Sequence, residues 1–328
     1  MPTVRDVAKL AGVSISTVSR ALSMPHMVNP GTRALVITAA EELGYQPNAA
    51  AQGLRSGVTK NIGLVIPDLE NPFFATITKG VQARARNEGY AVFIADSDED
   101  TELELRLIAN LSKQVDGLIL ASPRATDQEL LEVLGTKPLV LLNRKVTGLP
   151  AVIVDNQDGI AQAIGHLRAL GHTKIAFASG PAHSWSSIQR EVAVREFASQ
   201  HPEIEIIELG NFRPYISGGL QVADLAVGSG ATALVTYNDL MALGVIERLR
   251  QREISVPQDF SVVGIDGISL ATLISPALTT VQLPLRDFGR KAVDFIVNQL
   301  ANQNRSFSDQ KLGVELEIRD STDVPVTT

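Results

Sequence analysis

Apolar residues over the first 45 positions recur at helical spacing. Val4, Val7, Ala8 and Ala11 fall at i, i+3, i+4 and i+7, one stripe opposed to a polar side of Arg5, Asp6 and Lys9. Gly12 breaks that helix and Val13 seals the turn. Ser14 then stands where an N-cap is needed, able to accept from the amide of Thr17, and Val18, Ala21 and Leu22 form the next stripe. Asn29-Pro30 announces a third helix through Leu35, Val36, Ala39, Ala40 and Leu43 to a stop at Gly44. Between 45 and 57 the chain is Ala-rich, with a cap at Asn48 and glycines at 53 and 57. This is either a short helix too weak to stand alone or a linker.

From Asn61 the pattern changes to apolar runs alternating with helical segments. Strands are expected at 62–67, 91–95, 117–121, 139–143, 152–154, 174–178, 204–209, 233–236, 261–265, 279–283 and 313–318. Helices are expected at 74–87, 102–112, 159–170, 188–200, 239–252 and 285–301. Alternation of this kind implies an α/β fold with parallel sheets covered on both faces. So many strands exceed one compact sheet, so two similar lobes with a cleft between them are expected. The domains read as a headpiece at 1–46, a hinge helix and linker at 47–60, and a body at 61–328. Within the body, one lobe takes about 61–158 plus about 286–318, and the other about 159–285 plus the C-terminal end.

Charge sharpens this division. The 328 residues carry −7 overall, yet residues 1–60 hold six Lys and Arg against three Asp and Glu, a net of +3 that leaves −10 for the rest. A basic head on an acidic body confines phosphate attraction to the head. A charge of only +3 suggests that one head grips weakly and that two act together. The apolar runs are strand-length, far short of the roughly 20 residues of a spanning helix, and Arg5, Asp6 and Lys9 interrupt any signal-peptide core. A cytoplasmic protein is expected, with no membrane partner. The absence of cysteine excludes disulfides and thiolate-bound zinc.

The first two helices are either a plain helical hairpin or a helix-turn-helix. In the second case Ile15, Ser16, Ser19 and Arg20 lie on the side that meets base edges and phosphates in a major groove. In the body, polar residues gather after the strands: Asp68, Asn71, Ser122, Asn143, Arg144, Asp155, 179–184, Asn238, Asp239 and Asp266. Ligands of open α/β sheets bind there. Trp185, the only tryptophan, follows a strand among polar neighbours and reads as a stacking wall for a ring, with core packing as the alternative. Arg190 is either a ligand contact or one half of a surface ion pair. Asp68, Asp155, Asp239 and Asp266 are the carboxylates from which an acid–base pair would be drawn. No nucleophile elbow, phosphate loop or metal-ligand spacing accompanies them, so no catalytic residue, metal or cofactor is expected.

The run Asp6-Val7-Ala8, Ala11-Gly12-Val13-Ser14 and Thr17-Val18-Ser19-Arg20 resembles the signature of the lactose-repressor (LacI/GalR) family of bacterial transcription regulators. The resemblance continues through Glu42-Leu43-Gly44-Tyr45, Pro47-Asn48-Ala49, Asn71-Pro72-Phe73-Phe74, Val115-Asp116-Gly117, Asn238-Asp239, Gly264-Ile265-Asp266 and Leu278-Thr279-Thr280-Val281, covering 3 to about 320. Gly31 departs from the acidic residue common there, which bears on how the third helix starts. The resemblance implies a homodimer whose paired heads bind a palindromic DNA operator. It implies a hinge helix that folds on the DNA and wedges Leu54 into the minor groove, with Ala51 in the same segment and Arg55 beside that groove. It implies base contacts from Ile15, Ser16 and Arg20, and phosphate contacts from Ser14, Thr17, Ser19, Tyr45 and Asn48.

For the body the resemblance implies a periplasmic-binding-protein-like fold. Its cleft would take a small sugar, polyol or nucleoside-like effector against Phe74, Ser122, Arg144, Trp185, Arg190, Asn238 and Asp266. The competing regulator of this kind is a catabolite-control relative whose coregulator is a phosphorylated protein. The short polar segment 321–328, with Pro325, cannot form the heptad helix that joins some relatives into tetramers, so a dimer is expected.

Overall fold

The computed structural model of the chain describes residues 2–45, 58–301 and 308–326. These fall into two compact units, Met1–Lys60 and Asn61–Thr328. The first is built from α1 (Val4–Leu10), α2 (Ile15–Ser23) and α3 (Pro30–Glu42), with a short 3-10 turn at Pro25–Met27. Each helix starts where a side chain can satisfy free amides. Thr3 and Asp6 form a capping box for α1, Ser14 Oγ accepts from Thr17 N at 3.1 Å for α2, and Asn29 accepts from Gly31 N ahead of Pro30 for α3. Gly31 therefore serves the start of α3 through its backbone. The core is Val7, Ala8, Val18, Ala21, Val36, Ala39 and Ala40, the expected stripes. Leu35 stands outside it, exposed, because it lies one helical position from Val36.

The second unit has two sheets. The N-lobe sheet runs β11-β5-β4-β3-β1-β2, all parallel, from β1 (Asn61–Ile66), β2 (Ala91–Asp96), β3 (Gly117–Ala121), β4 (Leu139–Leu142), β5 (Ala151–Val154) and β11 (Gln310–Leu312). The C-lobe sheet runs β12-β10-β9-β8-β6-β7, from β6 (Lys174–Ser179), β7 (Glu205–Asn211), β8 (Ala233–Thr236), β9 (Ser261–Asp266), β10 (Thr279–Gln282) and β12 (Glu315–Glu317), with β12 alone antiparallel. Helices α4 (Pro72–Asn87), α5 (Thr101–Leu111), α6 (Asp127–Val133) and α11 (Leu285–Ala301) pack on the first sheet. Helices α7 (Asn156–Ala169), α8 (Trp185–Gln200), α9 (Ile216–Gly228) and α10 (Asp239–Gln251) pack on the second.

The chain crosses between lobes near Asp155, near Leu283 and at 313–314. The last crossing corrects the expected return of the first lobe to about 318. The single strand expected at 313–318 is two short strands, β11 and β12, that belong to different sheets. Helix α9 also escapes a reading by periodicity, since Gly218, Gly219 and Gly228 lower its helical propensity. Tertiary contact accounts for Gly219: a Cβ there would strike Met241 O, and one on Gly244 would strike Ile216 O, so α9 and α10 cross at backbone contact. Gly80 and Gly289 do the same for α4 against α11.

Candidate functional site

On the head, the outward side of α2 carries Ser14, Ile15, Ser16 and Arg20 exposed, with Thr17 and Ser19 half-buried beside them. Ser14 Oγ lies 2.8 Å from both Ser16 Oγ and Thr17 Oγ1, and Arg20 Nε reaches back to Ser16 O at 3.4 Å. The cap that starts the helix thus also organises a row of hydroxyls. Tyr45 is half-buried against the head core. Asn48, Ala51, Leu54 and Arg55 lie outside the described residues.

In the body, the carboxyl ends of both sheets meet at a cleft lined by Phe74, Ser122, Arg190, Asn238 and Asp266 of the expected set. The backbone is held in unusual conformations there. Ser122 (φ 47°), Asn143 (φ 54°) and Asp266 (φ 129°) are non-glycine residues with positive φ, at or just past the ends of β3, β4 and β9. Such torsions persist where the surroundings enforce them, which is typical of ligand sites. Asn143 Nδ2 donates to Ser122 Oγ at 3.1 Å, and Asn143 Oδ1, buried, has no partner.

Arg190, 2% exposed, is the centre of the C-lobe wall. Its Nε donates to Asn156 Oδ1 at 3.0 Å, another nitrogen donates to Tyr237 O, and its guanidinium lies 4.9 Å above the Tyr237 ring. Its approach to Asp266 is looser, 3.8 Å. Burial pushes the Asp266 carboxyl well above the usual range. Arg190 opposes that shift and Asp239 adds to it. Asn238 is occupied structurally: its Oδ1 caps α10 through Met241 N at 3.0 Å and its Nδ2 donates to Pro214 O at 2.9 Å. Tyr237 Oη is held between Ser184 Oγ and Ser186 Oγ, at 3.0 and 3.1 Å.

Two expected residues are elsewhere. Arg144 lies behind the cleft wall, donating to Pro123 O, Ala125 O and Asp127 Oδ1 at 2.7, 2.5 and 2.6 Å. From the other side the Glu104 carboxylate accepts from Arg124 N and Ala125 N at 2.8 to 3.0 Å. The loop after β3 is thus held by its carbonyls and its amides at once. Burial pushes the Glu104 carboxyl above its usual value, against the pull of those amides. Trp185 faces a different hollow, beside Asn156 and Gln189.

The same loop presents a residue that the sequence reading missed. Arg124, 8% exposed, lines the cleft and makes a bidentate pair with Glu99, at 2.6 and 2.9 Å. Burial disfavours the charge on Arg124, but Glu99 holds it protonated. Asn71, Asn143 and Tyr237 complete the polar lining. Asn71 and Asn143 were visible as polar residues after strands. Nothing in spacing joins Glu99 to Arg124.

Near the cleft Tyr215 of the C-lobe approaches Asp68 of the N-lobe. Burial, with Asp68, Glu99 and Asp98 nearby, drives its phenol pKa upward. The cavity beneath is ≈ 20 Å³. Among the described residues no cluster of three or more metal-ligating side chains occurs, and no helix is long and apolar enough to cross a membrane.

Comparison with known proteins agrees with this architecture. Residues 3–48 match the model of bacterial regulatory proteins of the lacI family, and residues 164–322 match that of a periplasmic binding protein-like domain. The chain is 32% identical to catabolite control protein A of Priestia megaterium, over 98% of this chain and 99% of that protein. It is 31% identical to the HTH-type transcriptional repressor CytR of Escherichia coli K12, over 98% and 96%. A lac repressor dimer bound to operator and the anti-inducer ONPF superposes with a TM-score of 0.88 at 30% identity, over 98% of this chain and 99% of that one. These relatives are transcription regulators rather than enzymes. A helix-turn-helix head, a two-lobed body of parallel sheets and full-length similarity to such regulators together establish that this chain is a DNA-binding transcription regulator of the lacI family.

Proposed function

We propose that the protein is a dimeric repressor that binds a palindromic operator and whose DNA affinity is switched by an uncharged sugar, polyol or nucleoside-like effector held between the lobes. The observation that carries this reading is the balance of the cleft. Each of its cations faces a carboxyl within the cleft, Arg124 that of Glu99 and Arg190 that of Asp266, while Asn143 Oδ1 is an unclaimed acceptor. Such a lining rewards hydroxyl-rich neutral ligands over ions. Phe74, set edge-on to Phe73 at 4.9 Å, supplies an aromatic surface for a ring. Solved lacI-family regulators with bound ribose and a regulator CelR–cellobiose complex, each 26 to 29% identical to this chain, support the class.

A cavity of ≈ 20 Å³ is too small for such a molecule, so effector entry parts the lobes and breaks the Tyr215–Asp68 contact. Ligand binding then selects between open and closed states, and the switch is limited by the difference in affinity for the two. On the head, Ile15, Ser16 and Arg20 read bases, and Ser14, Thr17, Ser19 and Tyr45 hold phosphates. Dimer formation is supported by the exposed apolar side chains of the body, Leu69, Phe93 and Ile94 on one lobe and Ile216, Leu225, Leu270 and Leu273 on the other.

The test is calorimetry of sugars, polyols and nucleosides with the full-length protein, paired with anisotropy of a palindromic duplex. The expected result is one saturating compound that changes duplex affinity, loss of that binding in Asn143→Leu, and a dimer by light scattering. Duplex binding that no small molecule alters overturns the effector assignment and favours the protein-coregulator reading.

A further inference from the structure

Trp185 is the one expected effector contact whose surroundings form a separate hollow. It opens α8 and faces a cavity of ≈ 260 Å³ at the first lobe crossing, shared with Ile153, Asn156, Gln189, Val192 and Glu196. The charged groups of this hollow are engaged. Lys311 Nζ meets Asp155 Oδ2 at 2.5 Å, Lys145 meets Asp309 at 2.8 Å, and Glu196 accepts from Gln157 Nε2 at 2.9 Å. An ion gains nothing from so balanced a lining.

What is left over is one buried donor. Asn156 is 9% exposed and its Nδ2 has no hydrogen-bond partner. Its amide cannot turn to hide the fault, because Oδ1 is fixed by Arg190 Nε at 3.0 Å. An orphaned buried N–H is costly and marks a place where an outside acceptor is wanted. Nδ2 is sealed from solvent, so a ligand must turn aside a neighbouring side chain to reach it, and satisfying the donor rewards that shift. Beside it the half-buried indole of Trp185 provides a flat apolar surface.

We propose that this hollow is a second small-molecule site, distinct from the cleft, for an uncharged heteroaromatic ring of nucleobase type. The ring lies against Trp185, and a ring carbonyl or ring nitrogen accepts from Asn156 Nδ2. A sugar or polyol fits the site less well, because its puckered C–H face gives the indole less contact than a flat aromatic ring does.

Trp185 is the only tryptophan in the chain, so the intrinsic fluorescence of the full-length protein reads the hollow directly. The probes are uridine and adenosine, with ribose as the non-aromatic comparison. The expected result is saturable quenching by at least one nucleoside and not by ribose, retained in the cleft variant Asp266→Asn. Affinity falls about tenfold or more in Asn156→Asp, which keeps the acceptor for Arg190 but removes the donor. A fall of similar size is expected by calorimetry in Trp185→Leu, the scale of a lost ring stack. The proposal is overturned if neither nucleoside quenches saturably. It is also overturned if quenching vanishes in Asp266→Asn and persists unchanged in Asn156→Asp, since the ring then sits in the cleft and Trp185 only reports on it.

Discussion

Replacing Asp239 by asparagine removes a titrating carboxyl from the wall of the C-lobe while keeping its shape. Asp239 is wholly buried, accepts from Thr280 Oγ1 at 2.5 Å and from Ile268 N at 2.8 Å, and so holds the loop that follows Asp266. Gly264 makes room for it: a Cβ there would strike the carboxylate. Burial pushes the carboxyl up from 3.8 to about 6, against the opposing pull of those hydrogen bonds. The folded value lies above the unfolded one, so the group's stabilising contribution is complete below the unfolded value and is lost as pH rises through about 6. At 1.36 kcal/mol per unit the full loss is about 3 kcal/mol, of which about 2 kcal/mol falls between pH ~4.5 and ~8. Asparagine keeps an acceptor for Ile268 N–H, its Nδ2 can donate to a rotated Thr280 hydroxyl, and it does not titrate. The assay is urea unfolding of the full-length protein at both pH values, followed by Trp185 fluorescence, which reports on the body alone. Relative to wild type, Asp239→Asn gains about 2 kcal/mol on going from the acid to the alkaline condition. Stability curves that run parallel across that range refute the assignment of this titration to Asp239.

Three further outcomes follow from local geometry. Ser14→Ala removes the cap on α2 and costs the head about 1 kcal/mol, seen as faster hydrogen exchange at the Thr17 amide, with Ser14→Asp restoring protection. Glu104→Ala strands the Arg124 and Ala125 amides and lowers body stability by about 2–5 kcal/mol in thermal or urea denaturation, whereas Glu104→Gln keeps an acceptor and loses less. Gly244→Ala drives a methyl into Ile216 O and Gly219 at the α9–α10 crossing and costs about 1–3 kcal/mol. A melting temperature equal to wild type would show that the two helices separate freely.

Much of the head was legible because its determinants are local. The stripes Val7-Ala8, Val18-Ala21 and Val36-Ala39-Ala40, the caps Ser14 and Asn29, and the turn at Gly12 (φ 66°) are each read within one or two helical turns. Five of the seven expected effector residues line one cleft, Ser122, Asn238 and Asp266 because strand ends in a parallel sheet face a common edge, and Phe74 and Arg190 because α4 and α8 begin there. Arg144 and Trp185 share that chain position and still miss it. Which way a side chain leaves a strand end depends on the torsions of the turn, and those of Ser122 and Asn143 lie in a region that periodicity does not report.

By itself the sequence determined most of the order of elements, the basic head on an acidic body, and the strand ends that line the cleft. These rest on hydrophobic period, capping chemistry and charge, which act over a few residues. Only the tertiary structure decided that Arg124 and Glu99 meet in the cleft, that Arg144 and Glu104 hold the loop beneath them, that β11 and β12 part into different lobes, and that Trp185 faces its own hollow. Glu99 and Arg124 are 25 residues apart in the chain, and Asn156 and Arg190 are 34. Pairings at that distance are set by how sheets stack and helices cross, and by the need to satisfy every buried polar group once they do.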